Sequence, residues 1–149
     1  MKKKSQLLDE LRLEVGSVRE KVQTLASFYI EITRKLARRM SKRWSVSIYE
    51  ATAESFKMRV CAGTSYLNCV IPFGDNILST VAIRGRLVFQ MEGQLQKVFL
   101  PFYRSHHLLG ILIFFVPQDT YEITDDDLAF IREIGRFIEV QHATFDAPA

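Results

Sequence analysis

The stretch Val70–Val88, V-I-P-F-G-D-N-I-L-S-T-V-A-I-R-G-R-L-V, decides how the rest of the chain is interpreted. Pro72 ends an apolar run and Gly74 permits a turn, so a strand is expected to finish here. A short helix follows over residues 77–84. Gly85 then suits the left-handed position that commonly ends a helix. The stretch therefore predicts a strand end, a turn, a short helix and the start of the next strand.

The N-terminus of this short helix is a candidate ligand site. Asp75 or Asn76 can cap it by accepting a hydrogen bond from a free backbone N–H group. The N–H groups of Ile77, Leu78 and Ser79 favour an anion or a carbonyl oxygen if they face an interior space. The alternative is that the helix only covers the core.

Composition and length predict a soluble globular domain with an appendage. The chain has 149 residues, of which 48% are hydrophobic and 25% are charged. No apolar run reaches the roughly 18 residues of a membrane span. Cys61 and Cys69 form neither a disulfide framework nor a metal motif, so a reducing, cytoplasmic location is expected. A basic run over Arg34–Arg43 lacks interleaved aromatic residues, so we interpret it as a solvated helix face and expect no nucleic-acid partner.

Residues 1–43 are predicted to form a long helix that pairs with a second copy of the chain. They hold no proline, and apolar residues recur in alternating steps of three and four, which is typical of a coiled-coil seam. A helix of that length exceeds the width of the remaining domain, so a homodimer would cover the exposed part of its stripe. The alternative is a helix broken at Gly16 and folded back as a hairpin. The seam consists of Leu8, Leu11, Val15, Val18, Val22, Leu25, Tyr29, Ile32 and Leu36.

From Trp44 to the C-terminus, residues 44–149, the pattern is that of strands followed by one helix. Apolar and polar residues alternate over 44–49 and 56–61, which predicts a β-hairpin. Further strands are expected near 68–71, 86–91, 95–103 and 107–116. Asp125, Asp126 and Asp127 suit the first turn of a final helix, because acidic side chains complement the helix dipole there. Leu128, Ile131 and Ile138 form one apolar row of that helix, and we assign this row to the dimer interface.

Five segments in this order resemble a GAF domain. They are I-P-F-G-D ending at Asp75, S-T-V-A-x-x-G-x-x-V ending at Val88, V-F-L-P-F from Val98, L-L-G-I-L-I-F from Leu108, and T-D-D-D-L before the final helix. The resemblance implies an α+β fold with a PAS-like antiparallel sheet of five or six strands flanked by helices, here preceded by the long N-terminal helix. It also implies a ligand cavity on one sheet face, dimerisation through terminal helices, and a regulatory role.

The predicted function is therefore a stand-alone sensory module that binds a small molecule or anion and controls a protein partner. Asn76 and Ser79 stand where the family often has glycine, which would narrow the cavity. Several phenylalanines could also fill it: Phe73, Phe89, Phe99, Phe102, Phe114 and Phe115. The alternative is a ligand-free dimeric interaction protein. The candidate ligand-binding residues are Tyr66, Phe73, Asp75, Asn76, Ser79, Phe99 and Tyr103.

An enzyme is not expected. One GAF subfamily reduces free methionine sulfoxide with cysteines, and Cys61 and Cys69 would be the candidates here. Their positions in strands favour simple buried residues instead. The three histidines share no spacing with carboxylates or cysteines, so we assign no catalytic residue, metal or cofactor. The ligand, the partner and the completeness of the chain stay open.

Overall fold

A computed structural model describes residues 4–18, 22–38 and 43–146. Its helices are α1 (Lys4–Gly16), α2 (Leu25–Ala37), α3 (Ile77–Arg84) and α4 (Asp125–Asp146). Its strands are β1 (Ser45–Ala51), β2 (Ser55–Gly63), β3 (Val70–Pro72), β4 (Val88–Glu92), β5 (Leu95–Arg104) and β6 (His107–Pro117). None of the helices in these ranges combines the length and apolar character that crossing a bilayer requires.

The six strands form one antiparallel sheet in the order β3-β2-β1-β6-β5-β4. Four of the five pairings join strands that are neighbours along the chain, whereas β1 pairs with β6. The central position of β1 and β6 agrees with the apolar character of β6, whose residues from Gly110 to Pro117 are all buried. The α+β class with a six-stranded antiparallel sheet is confirmed.

Close contact between β1 and β6 depends on Gly110. A Cβ atom at this position would lie 2.2 Å from the carbonyl oxygen of Tyr49, so no other residue fits without a backbone shift. The two strands align over Ser45–Glu50, with Ser47 opposite Ile113. This pairing brings together segments that lie far apart in the sequence.

Each face of the sheet carries its own apolar cluster. Alternate strand residues point to opposite faces, so Phe99 belongs to one cluster and its neighbour Leu100 to the other. We call the two sides the α3 face, covered by α3 and the segment before it, and the α4 face, covered by α1, α2 and α4. Gly135 of α4 lies against Leu100, because a Cβ atom there would approach Leu100 Cδ2 to 2.4 Å.

The described residues of the N-terminal segment, 4–18 and 22–38, show two separate helices, so the predicted single long helix is not found. α1 ends at Gly16, and α2 begins at Leu25 after Thr24. Thr24 is the N-cap of α2, and its Oγ1 accepts a hydrogen bond from the Ser27 N–H at 3.1 Å. The alternative of a break at Gly16 is therefore the better description.

The predicted coiled coil is not supported either, because the described seam residues pack inside their own chain. α1 contacts both α2 and α4. A helix of 13 residues is only about 20 Å long, so it fits along the domain and leaves no overhanging stripe. Leu25 is half-buried, and the other seam residues are at most 8% exposed: Leu8, Leu11, Val15, Val18, Val22, Tyr29, Ile32 and Leu36.

The final helix α4 packs on both the sheet and α1. Its first turn is capped by Asp127, whose Oδ2 accepts from the Thr124 N–H at 2.8 Å and whose Oδ1 accepts from the Tyr121 hydroxyl at 2.7 Å. The row assigned to a dimer interface lies in the core of this single chain: Ile131 and Ile138 are buried and Leu128 is half-buried.

Candidate functional site

Helix α3 is capped at both ends as its sequence predicts. Asn76 is the N-cap, with its Oδ1 accepting from the Ser79 N–H at 3.0 Å. Its Nδ2 also donates to the Pro72 carbonyl at 2.7 Å, which ties the helix to the end of β3. Gly85 is the C-cap at a φ of 68°, in the left-handed region. The resulting short, fixed helix lies over the apolar cluster of the α3 face.

The first turn of α3 is less open to an anion than expected. The Ser79 N–H donates to the Asn76 side chain, so this backbone group is not free to bind a ligand. Asp75 is exposed beside the same turn, and its carboxylate would repel an anion. The backbone N–H of Ser79 is therefore removed from the expected anion site at residues 77–79.

A groove of about 560 Å³ opens beside α3 instead. This volume lies in the range of small-molecule sites. The Phe73 ring meets Phe56 edge-to-face, with 4.8 Å between ring centroids, and forms one wall. Ser79 Oγ accepts from the Gly74 N–H at 3.0 Å at the rim. The lining residues are Ala51, Thr52, Phe56, Phe73, Gly74, Ser79, Ala82, Ile83 and Leu108.

The interior beneath α3, where the resemblance implies a cavity, is filled by side chains. Phe99 and Phe115 are at most 2% exposed there, with their rings 5.9 Å apart. Phe102 and Phe114 belong to the cluster of the α4 face, so the expectation that they fill the cavity is wrong. Because the side-chain direction alternates along a strand, Phe102 and Phe114 point away from α3.

The remaining ligand-binding candidates are spread over the molecule. Tyr66 lies near the start of β1, where its hydroxyl donates to the Arg43 carbonyl and its ring meets Phe115. Tyr103 lies at the end of β5 and its hydroxyl donates to the Ala82 carbonyl at 3.0 Å. Burial, and then the charge of Glu139, raise the pKa of the Tyr103 hydroxyl. Of the seven candidates, only Phe73 and Ser79 line the groove.

Sequence reasoning missed several residues of the groove. Ala82 and Ile83 follow Ser79 by three and four positions, so helical periodicity could have placed them on the same face. Thr52 and Leu108 come from the β1–β2 turn and the start of β6. No local signal connects these two residues to α3, because their proximity depends on the sheet topology.

The two thiols are less buried than the sequence predicts. Cys61 is half-buried in β2, where Sγ lies 3.8 Å from Ser45 Oγ, and Cys69 is exposed just before β3. Neither has a histidine or carboxylate hydrogen-bond partner within the ranges that the structure describes. These same ranges contain no group of three histidine, cysteine or acidic residues placed to hold a metal.

Comparisons with known proteins identify the fold. No protein-family model matches the sequence, and no curated protein sequence matches it. Among solved structures, the chain is similar to free methionine-R-sulfoxide reductase from Neisseria meningitidis in complex with its substrate. The TM-score is 0.82 at 14% identity, over 97% of this chain and 93% of that one.

Sensory proteins appear among the structural neighbours as well. A protein described as a GAF sensor from Burkholderia vietnamiensis gives a TM-score of 0.78 at 15% identity, over 99% of this chain and 94% of that one. The GAF domain of an Acinetobacter phosphoenolpyruvate-protein phosphotransferase gives 0.74 at 15% identity, over 99% of both chains. At such identities these likenesses show the GAF-like fold alone.

Proposed function

We propose that this chain is a regulatory GAF-like module that binds a small molecule in the groove beside α3 and acts on a protein partner. The groove carries the proposal, because its volume and mixed lining suit a small metabolite. The structural neighbours described as GAF domains of sensory and phosphotransfer proteins support a regulatory role. The free thiols of Cys61 and Cys69 agree with a reducing, cytoplasmic location.

The lining indicates the chemistry of the ligand. Phe56, Phe73 and Ile83 supply apolar walls, and Ile83 is 86% exposed without a ligand. Ser79 Oγ accepts a bond from Gly74, so its hydroxyl proton stays available to donate. A compound with an aromatic or branched apolar part and one acceptor group would therefore fit the groove, with its acceptor bonded to the Ser79 hydroxyl.

A chain of hydrogen bonds connects the groove to the last helix. The carbonyl of Ala82, a groove residue, accepts from the Tyr103 hydroxyl at 3.0 Å. The backbone N–H of Tyr103 donates to Glu139 Oε2 of α4 at 2.7 Å. A ligand that moves α3 would thereby alter a contact of α4, which gives the module a route to a partner bound on its helical side.

The test measures thermal unfolding with a set of aromatic and branched-chain metabolites. We expect at least one compound to stabilise the wild type, by about 2.7 kcal/mol at 100 times its dissociation constant. Phe73→Ala removes a wall of the groove and should abolish this effect. Phe89→Ala is the matched control, since Phe89 has a similar exposure, 38% against 45% for Phe73, and lies outside the groove.

The proposal fails if no compound stabilises the wild type, or if Phe73→Ala responds as fully as Phe89→Ala. The first outcome would favour a second candidate, a ligand-free interaction protein. One observation favours that candidate: the interior beneath α3 is already filled by Phe99 and Phe115. Its groove would then be a surface for a partner rather than a metabolite site.

We include a homodimer in the proposal, on a surface different from the seam. Leu13 of α1 is 77% exposed and Val140 of α4 is 62% exposed, and these two helices contact each other. Terminal helices are where the GAF resemblance places dimer contacts. A second copy packed against both α1 and α4 would cover the two residues.

A further inference from the structure

A second concave site lies beyond the C-terminal end of α3. It is a cleft of about 230 Å³ between α4 and β5, next to the connection that leads from α3 into the edge strand β4. It does not share a residue with the groove beside α3. Its lining residues are Gly85, Arg86, Leu87, Leu100, Pro101, Tyr103, Arg132, Gly135, Arg136 and Glu139.

Three arginines surround this cleft without a carboxylate partner. Arg86, Arg132 and Arg136 are exposed, and no acidic side chain within the described part of the chain forms an ion pair with them. Four other arginines of the described ranges do have acidic partners: Arg12 pairs with Asp9 and Glu133, Arg34 with Glu31, Arg43 with Asp119, and Arg59 with Glu50.

The single carboxylate of the cleft is already engaged. Glu139 Oε2 accepts a hydrogen bond from the Tyr103 N–H at 2.7 Å. Arg132 and Arg136 are four residues apart on α4 and therefore lie on the same helical face, where like charges oppose each other. Arg86 adds a third positive charge from a different segment. This arrangement leaves an excess of positive charge around one concave space.

We propose that this cleft binds a small molecule through a compact group with two negative charges, either a phosphate or a pair of carboxylates. The planar guanidinium group offers paired N–H donors that match the oxygens of both groups. Arginines converging from two segments can contact such a group from different directions, and the group would relieve their mutual repulsion. The carboxylate of Glu139 would repel the charged group of the ligand. The uncharged remainder of the ligand would therefore lie on the side of Glu139 and Tyr103.

The test titrates the full-length protein with pyrophosphate and, separately, with malonate by isothermal calorimetry. We expect saturable binding of at least one of these anions, and the stronger of the two identifies which dianionic group the cleft prefers. Binding should weaken as sodium chloride is added, because exposed charges are screened. Arg132→Gln and Arg136→Gln should each lower the affinity about tenfold, the usual cost of a lost charge-assisted hydrogen bond.

Arg38→Gln is the matched control. Arg38 is exposed at the end of α2, does not line the cleft, and its loss changes the net charge by the same amount. The affinity of this variant for the two anions should stay within about twofold of that of the wild type, because the screened attraction of a distant charge is small. Equal losses in all three variants would mean that only net charge matters, and would overturn the proposal.

Two other results would also overturn it. One is the absence of measurable binding of both anions to a wild type that unfolds cooperatively. The other is binding of an acidic peptide when both small anions fail, since that would make the cleft a protein-docking surface. Arg132 and Arg136 are exposed, so their substitution should leave the fold intact, and circular dichroism of each variant checks this directly.

Discussion

Tyr49 shows how a single buried polar group depends on its surroundings. Its side chain is fully buried on the α3 face, and its hydroxyl donates to the Asn68 carbonyl at 2.7 Å. Burial, together with the nearby thiols of Cys61 and Cys69, raises the pKa of this hydroxyl to about 12. The neutral phenol is therefore favoured in the folded chain, which connects the protonation of Tyr49 to the free energy of unfolding.

Tyr49→Phe should change how stability depends on pH. The unfolded chain releases the Tyr49 proton near pH 10 and the folded chain only near the raised pKa, so its contribution is complete below about pH 10 and is lost as the pH rises toward about 12. At neutral pH the variant should lose about 1 kcal/mol, because the Asn68 carbonyl loses its donor.

Urea denaturation at a series of pH values measures this difference. Near pH 11 the free energy of unfolding of the wild type should be lower by about 1 kcal/mol than at neutral pH, because the folded chain retains the Tyr49 proton that the unfolded chain releases. The variant lacks this group, so the difference in stability between the two proteins should close. A gap that stays constant from about pH 8 to about pH 11 would contradict the raised pKa.

At the scale of the element, the N-terminal helices show the limit of periodicity as a signal. Apolar steps of three and four suit both a coiled coil and a short helix packed on its own domain. The same residues, such as Leu11 and Ile32, are required in either arrangement. What separates the two is the end of α1 at Gly16, and the apolar residues Val18 and Val22, which lie between α1 and α2, stay buried.

Leu11→Ala and Leu13→Ala compare the two sides of α1. Leu11 is 8% exposed, and its truncation should lower the free energy of unfolding by about 2 to 3 kcal/mol. Leu13 is 77% exposed in the single chain, so in protein diluted until it is monomeric the same substitution should change it by no more than about 0.5 kcal/mol. Chemical denaturation measures both values. A small effect of Leu11→Ala in dilute protein, equal to that of Leu13→Ala, would indicate that a second chain and not its own covers Leu11.

The sheet was predictable from the sequence, whereas the groove was not. Strands such as β1 and β2 follow from apolar alternation and the turn residues around them, which are local signals. The caps of α3 were equally local, since Asn76 and Gly85 act within a few residues. The groove required Thr52 and Leu108 to approach Ser79 across the sheet. The cleft likewise needed Arg86 and α4 to come together in space.

At the scale of the whole molecule, one sheet separates two different surfaces. The α3 face carries the groove, and the cleft with its arginines lies between β5 and α4. The helical side also presents the exposed residues Leu13 and Val140. A ligand in the groove, an anion in the cleft and a second copy on the helices would therefore occupy separate regions of one compact body.

Analytical ultracentrifugation tests the proposed homodimer. The wild type should sediment as two copies at micromolar concentration, and Leu13→Glu combined with Val140→Glu should sediment as one, because burying a carboxylate in an apolar contact is costly. Ile83→Glu is the control, since Ile83 is exposed beside the groove and away from α1 and α4. A wild type that sediments as a single copy would contradict the homodimer.

Strand β5 has a mechanical consequence for the molecule. Phe99 faces the side covered by α3, and the next residue, Leu100, presses against Gly135 of α4. One planar peptide group joins the Cα atoms of these two residues, so a backbone shift at Phe99 also moves the Cα atom of Leu100. The shortest covalent connection between the two faces of the sheet is thus one peptide bond. A rearrangement of the aromatic packing that shifts the backbone at Phe99 would therefore displace Leu100 against α4 directly.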